Sequence, residues 1–344
     1  MVRLNGKLLE KLMIDCLQAH GVCVESATHV AKSLIQTSLR GVDSHGIQLF
    51  PHYCRAVAAG RINKSPQFVF DRTSPTTAIL DADDAFGHHA GVAAIDQAVL
   101  IAKEYGMGAV PVKNSSHFGA AAYFGLRAAQ QGCIGLAFTN GDSLIKAYNS
   151  KVAFTGTNPI CFTAPIDGEE PFCLDMATSL VAWNKIVNHC RTGRAIPENW
   201  ACDATGLPVK NPNDAKSLQP AGGYKGYGLA LVVDILCAML SGSPASKDLI
   251  PMYESISTRR KLGHFFMALD ISRFCLPSDF GVRMRDLVQA ARGLPALDNE
   301  VPVLVPGDPE KAVFIERSKS GIPVDGVKLA EFIAITNDFE RAIC

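Results

Sequence analysis

Ala109-Val110-Pro111-Val112-Lys113-Asn114-Ser115-Ser116-His117-Phe118-Gly119-Ala120-Ala121-Ala122 runs from an apolar segment, through polar residues, into a tract of small ones. Ala109 to Val112 reads as a strand, and a helix is expected to open near Ser115 and end at Gly132. The same rhythm extends both ways. Upstream lie a strand at Ala78 to Leu80 and a helix around Ala90 to Tyr105, and downstream Ile134 to Thr139 reads as a further strand. Alternating strands and helices imply an α/β layer structure.

The two ends of the chain have a different texture. Met1 to Cys16 is amphipathic, with Lys7, Glu10, Lys11 and Asp15 among its leucines, so it reads as a helix and not a signal peptide. Ser26 is placed to cap a helix whose apolar positions Ala27, Val30, Ala31, Leu34, Ile35 and Leu39 recur at helical spacing, with Gly41 at its end. Ile196 to Pro220 reads as a long loop or arm, and Gly228 to Leu240 as a buried helix. After Asp279 the chain is again helical, with an extended piece from Val301 to Val305 leading into Pro306-Gly307-Asp308-Pro309. The expected organisation is a mainly helical domain built from residues 1–75 with 280–344, and an α/β domain, 76–279, inserted between them.

Composition narrows the function classes. The 344 residues are 48% hydrophobic and 19% charged, and 33 basic side chains balance 33 acidic ones. That balance argues against a nucleic-acid binder or a surface made for acidic membranes. The most apolar stretch, Leu229 to Leu240, contains Asp234 and is too short to span a bilayer. Eleven cysteines are scattered singly without a Cys-x-x-Cys pair. They read as reduced thiols of a cytoplasmic protein, and no metal site is expected. The low charge fraction suits a chain that buries part of its surface against another subunit.

There is no G-x-G-x-x-G after a strand and no G-x-x-x-x-G-K-[ST]. The nearest approach, Gly226-Tyr227-Gly228, has Leu231 in place of the third glycine. H-E-x-x-H and G-x-S-x-G are also missing.

Four segments remain that can carry chemistry. In Arg40-Gly41-Val42-Asp43-Ser44-His45-Gly46, an imidazole is set on a glycine-flanked turn, and its ordinary pKa near ~6.5 suits proton exchange. A capping turn with a surface histidine is the alternative. In Ser116 to Ala122, a helix start lined with small residues would offer N–H groups to a ligand's phosphates and keep His117 neutral. A capped helix packed on the sheet would look the same. Asp175-Met176-Ala177-Thr178-Ser179 places a carboxylate at a strand end, either as a helix cap or as an acceptor for ribose hydroxyls. In Gly222-Gly223-Tyr224-Lys225-Gly226-Tyr227-Gly228, a lysine on glycine hinges is a sensible ligand for a phosphate or carboxylate.

Taken in order with Gly156-Thr157-Asn158-Pro159, Gly263-His264-Phe265-Phe266 and Pro306-Gly307-Asp308, these segments resemble the type-2 malate/L-lactate dehydrogenase family over nearly the whole chain. The resemblance implies a non-Rossmann NAD(P)-binding domain with a mixed sheet, and a homodimeric oxidoreductase acting on a small carboxylate. The reaction would pass hydride between NAD or NADP and a 2-hydroxy acid/2-oxo acid pair of the malate, lactate or ureidoglycolate kind. It also implies Ser44 as proton relay and His45 as proton donor, or His117 as proton acceptor. Cofactor contacts would fall at His117, Phe118, Gly119, Ala120, Ala121, Gly141, Asp175, Met176, Ala177, Lys225, Gly307 and Asp308, and substrate contacts at Thr157 and Asn158.

The chain departs from the family pattern at two places. Leu49 stands where many members carry an arginine for the substrate carboxylate, and Trp183-Asn184 stands where many have Arg-Gly. Arg40, Gln48, His52 and Tyr53 are the candidates to replace the missing arginine. Leu49 also admits a catalytically silent dinucleotide-binding protein, and the same site would serve reduction of a cyclic imino acid.

Overall fold

The computed structural model describes residues 2–336, so residues 337–344 of the expected helical domain lie outside the described residues. Its frame is a seven-stranded sheet in the order β2-β3-β4-β12-β5-β8-β9. These strands are β2 (Val69–Ser74), β3 (Thr77–Asp81), β4 (Met107–Ser115), β5 (Cys133–Thr139), β8 (Ile160–Ile166), β9 (Glu169–Met176) and β12 (Leu262–Asp270). The sheet is mixed: β3 and β4 run parallel, and the other neighbours pair antiparallel. The parallel step is made by α4 (Gly87–Tyr105), which buries Ala90, Ala94, Ala98 and Ala102 along one stripe. Alanines at that spacing let the helix lie close on β4 and β12, and α5 (Ala122–Ala129) covers β5 and β8 beside it.

A layer of helices flanks this sheet. It contains α1 (Gly6–Ala19), whose first turn is capped by the Asn5 side chain, α2 (Val24–Leu39) and α3 (Phe50–Ala58). From the other end of the chain come α9 (Asp308–Ser320) and α10 (Gly326–Thr336), which pack on α2 and on α1 and α3 respectively. The ends are tied by a two-stranded ladder of β1 (Val2–Leu4) with β13 (Ile322–Val324). Leu9, Met13, Leu17, Leu34, Phe50, Ile322 and Phe332 share one apolar core. The first helix of the C-terminal segment, α8 (Pro277–Arg292), lies instead against β8 of the large sheet, through Val288 and its neighbours.

Local details depart from the sequence reading for identifiable reasons. Helix α2 starts at Val24 after Cys23, and Ser26 lies inside it, buried, with its hydroxyl 2.8 Å from His89 Nδ1. The helix expected near Ser115 begins only at Ala122, because β4 continues through Ser115 and Gly119 takes a left-handed φ of 78°. Thr178 and Ser179 after Asp175 start no helix; the next one is α6 (Trp183–Thr192). The arm at Ile196 to Pro220 carries β10 (Ala201–Cys202) and β11 (Ser217–Leu218). These join β6 (Ile145–Lys146) and β7 (Ala153–Thr155) in a small sheet over Ile145, Ile186 and Leu218. The helix expected to be buried at Gly228 to Leu240 is α7 (Tyr224–Asp234) extended by a π turn, Ile235–Met239. It exposes Leu229, Val232, Ile235 and Met239 along one face. Among the described residues no helix is long and apolar enough to cross a membrane.

Candidate active site

One large cleft, about 1140 Å³, opens between the helical layer and the sheet. Its helical wall is the turn Asp43–His45 after α2. Arg317 of α9 grips this turn, donating to both Asp43 carboxylate oxygens at 2.6 and 2.9 Å and to the Ser38 carbonyl. From α6, Asn184 donates to the Ser44 carbonyl at 3.3 Å. Ser44 Oγ lies 2.9 Å from His45 Nδ1, leaving Nε2 for the cleft.

His117 faces this turn from the end of β4. The imidazoles of His45 and His117 stack with centroids 5.8 Å apart and planes 24° from parallel. Burial holds His45 below the ordinary histidine range. His117 lies well below it, through burial first and then the nearby charge of His45, His88, Arg260 and His52. Behind it the buried Tyr53 hydroxyl is 2.7 Å from His117 Nδ1. Tyr53 thus holds the His117 imidazole and does not itself line the cleft.

The floor is made by Gly119, Ala120 and Ala121, with Gly141, Thr157 and Ala177 opposite. A side chain on Gly119 would press on His88 Nε2 at 2.9 Å, whereas one on Gly141 would meet nothing within 4 Å, so the Gly141 backbone faces open space. Asp175 lies at the cleft surface, accessible to solvent yet walled by protein on its other sides. Its Oδ2 accepts the Ala122 N–H at 2.7 Å, so the start of α5 is capped by a carboxylate from β9. Burial raises the Asp175 carboxyl to about 6. At the far end Gly307, with φ 98°, opens α9. Lys311 Nζ there is buried without a hydrogen bond, 3.5 Å from Glu169 and 3.7 Å from Asp308.

Several expected contacts fall elsewhere. Lys225 is exposed in the first turn of α7 and outside the cleft lining, because Gly222 and Gly223, both at φ 65°, turn the chain before it. Phe118 is fully buried, stacked 4.8 Å from His264. Met176 sits in the β8–β9 ladder opposite Ile160. Asp308 is engaged with Arg292 at 2.6 Å and with the Val305 N–H. Asn158 is a buried clip, accepting from Gly141 N–H and Ser246 Oγ and donating to the Ala230 carbonyl.

The proposed substitutes for the arginine fare unevenly. Gln48 is exposed and outside the cleft lining. Arg40 lines the cleft but is paired with Glu170 at 2.9 Å. His52 is buried, with its pKa lowered to about 4 mainly by desolvation. The sequence reading missed Arg260, which lines the cleft and is 5% exposed. It also missed the role of His264, whose ring nitrogens lie 2.7 Å from Thr139 Oγ1 and 2.8 Å from Ser115 Oγ, joining three strands behind the floor.

The profile of the malate/L-lactate dehydrogenase family matches residues 5–332. The chain belongs to this family. The malate/L-lactate dehydrogenase family includes relatives that match along almost their full length. The chain is 36% identical to the malate dehydrogenase of Pyrococcus abyssi over 333 residues, 94% of this chain and 91% of that protein. It is 29% identical over 332 residues to the NAD(+) ureidoglycolate dehydrogenase of Escherichia coli, 96% and 94% of the two chains. The crystal structure of malate dehydrogenase from Entamoeba histolytica superposes with a TM-score of 0.93 at 30% identity, covering 98% of each chain.

Proposed function

We propose that this member of the malate/L-lactate dehydrogenase family is an NAD(P)-dependent oxidoreductase interconverting a small 2-hydroxy acid and its 2-oxo acid. The observation that carries the reading is the stacked pair His45–His117 at one end of a cleft large enough for a dinucleotide beside a small acid.

The lining suits such a cofactor. Gly119 to Ala121 and Gly141 offer backbone without bulk, Asp175 offers a carboxylate to ribose hydroxyls, and Lys311 offers a buried ammonium without a hydrogen bond to an anionic group near Gly307. A nicotinamide held there would supply the site with reversible hydride transfer at the carbinol carbon. The chain's own part is the proton. During oxidation a neutral imidazole, of His45 or His117, takes the hydroxyl proton; during reduction the imidazolium gives it to the oxo oxygen. Ser44 orients His45 and Tyr53 orients His117.

Around this site we infer a non-Rossmann cofactor domain centred on residues 76–279, with helices from both chain ends forming the opposite wall. The exposed apolar face of α7 supports a homodimer, and the free thiols suit the cytoplasm. The test is a panel of malate, lactate, sulfolactate and ureidoglycolate with NAD and NADP, followed by nicotinamide absorbance. Turnover of at least one member is expected. NADH binding without turnover of any would reject the dehydrogenase reading.

A further inference from the structure

Two guanidiniums, Arg61 and Arg260, are buried near the histidine end of the cleft, at 2% and 5% exposure. Arg61 donates to four backbone carbonyls, those of Met252, Glu254, Ser255 and Thr258. These bonds fasten the segment leading to Arg260 but neutralise no charge. Arg260 donates through Nε to the Ile250 carbonyl and through Nη2 to Asp142, whose other oxygen accepts the Met252 N–H. The set therefore holds two buried cations and one half-buried anion. Glu254 also lines the cleft but is exposed, and His52 is neutral at physiological pH.

Strand register brings Arg260 to the reacting end. Leu262 of β12 pairs with Ser115 of β4, and the strands run antiparallel. Arg260 is two residues before Leu262 and His117 two residues after Ser115, so both lie beyond the same end of the ladder. Between Arg260 and the strand, Lys261 holds a left-handed φ of 53° and the register shifts between Leu262 and His264. A non-glycine residue in that conformation is strained, and such strain concentrates where a side chain must be aimed. Leu49 lines the same cleft but is packed into the helical core.

We propose that Arg260 binds the substrate carboxylate, replacing the arginine that Leu49 does not supply. The assignment rests on the hydroxy-acid reading above. A carboxylate there completes the charge balance of Arg61, Arg260 and Asp142, and the fork of Arg260 retains N–H donors beyond those given to Asp142 and Ile250. The oxygen on the adjacent carbon is then held towards the two imidazoles.

The experiment compares wild type with Arg260→Lys and with the double variant Arg260→Gln/Asp142→Asn. The double variant removes both partners of the Arg260–Asp142 pair together, so neither is left without the other. The readouts are KM and kcat for the hydroxy acid the panel identifies, oxamate binding to the enzyme–NADH complex, and NADH affinity by fluorescence. The expected result is a rise in KM of about thirtyfold or more and a matching loss of oxamate binding, with NADH affinity within about twofold in both variants. Unchanged KM in either folded variant, with the wild type active, overturns the role of Arg260 alone. A wild type that binds NADH yet oxidises no hydroxy acid overturns the parent reading and this assignment with it.

Discussion

The Tyr53 hydroxyl, on a buried side chain, lies 2.7 Å from Nδ1 of His117 at the cleft wall. A phenol can donate to that nitrogen or accept from it, so it supports either tautomer as the proton moves at Nε2. Tyr53→Phe leaves a buried ring nitrogen without a partner, at a cost of about 1–3 kcal/mol. The expected outcome is a fall in kcat of roughly tenfold to a hundredfold, with NADH affinity unchanged. Steady-state kinetics with fluorescence titration of NADH check this; an unchanged kcat removes Tyr53 from the mechanism.

His45→Ala and His117→Ala separate the two proton carriers. His45 reaches the cleft from the helical wall, and its loss should lower turnover by about 10²–10⁴-fold while NADH still binds. His117 adjoins the glycine–alanine floor, so its loss should weaken both turnover and NADH binding. If His45→Ala retains full kcat, the proton belongs to His117.

Burial depresses both histidines below their usual value near ~6.5. In the oxidation direction the neutral form is the active one, so kcat/KM should stay level as pH falls from 8 to about 6.5 and drop only below it. In the reduction direction the charged form is required, and the rate should climb as pH falls. A pH–rate profile in both directions tests this; an oxidation limb bending at or above about 6.5 contradicts the depression.

Asp175 shows the opposite shift, up to about 6. The folded state thus binds its proton more readily than the unfolded chain does, and this group's contribution to stability declines as pH rises from about 4 to 6. Above pH 6 the carboxylate predominates, and the fold accommodates it less favourably than the unfolded chain does. Asp175→Asn should therefore raise Tm by a few degrees at pH 8 and leave it unchanged near pH 4, while weakening NADH binding. Thermal unfolding at the two pH values, with NADH titration, decides it; equal Tm at both would show that the charge is not disfavoured by the fold.

The α/β rhythm was legible because Ala109 to Val112 and Ile134 to Thr139 are short apolar runs separated by small-residue tracts, and the motif around Ser44–His45 named the helical wall. What was hidden depends on partners distant in sequence. The start of α5 is set by a carboxylate 53 residues away, so the local pattern at Ser115 to Ala121 misplaced it. Arg260 is brought to the same end of the sheet as His117 by the β4–β12 register, which no local spacing encodes. At Lys225 the glycine hinges are real, and they leave the side chain exposed outside the cleft lining. Asn158 has the polarity of a ligand contact, yet its hydrogen bonds are all spent on the protein.

The pairing of β1 with β13, and of Asp43 with Arg317, has a consequence for how the protein is made. The ribosome releases α1 to α3 long before Ile322–Val324 and Arg317 exist, so these helices wait with one apolar face uncovered while the sheet is being synthesised. Ser44 and His45 are synthesised long before Arg317, so their turn gains its clamp only after the intervening sheet has been made.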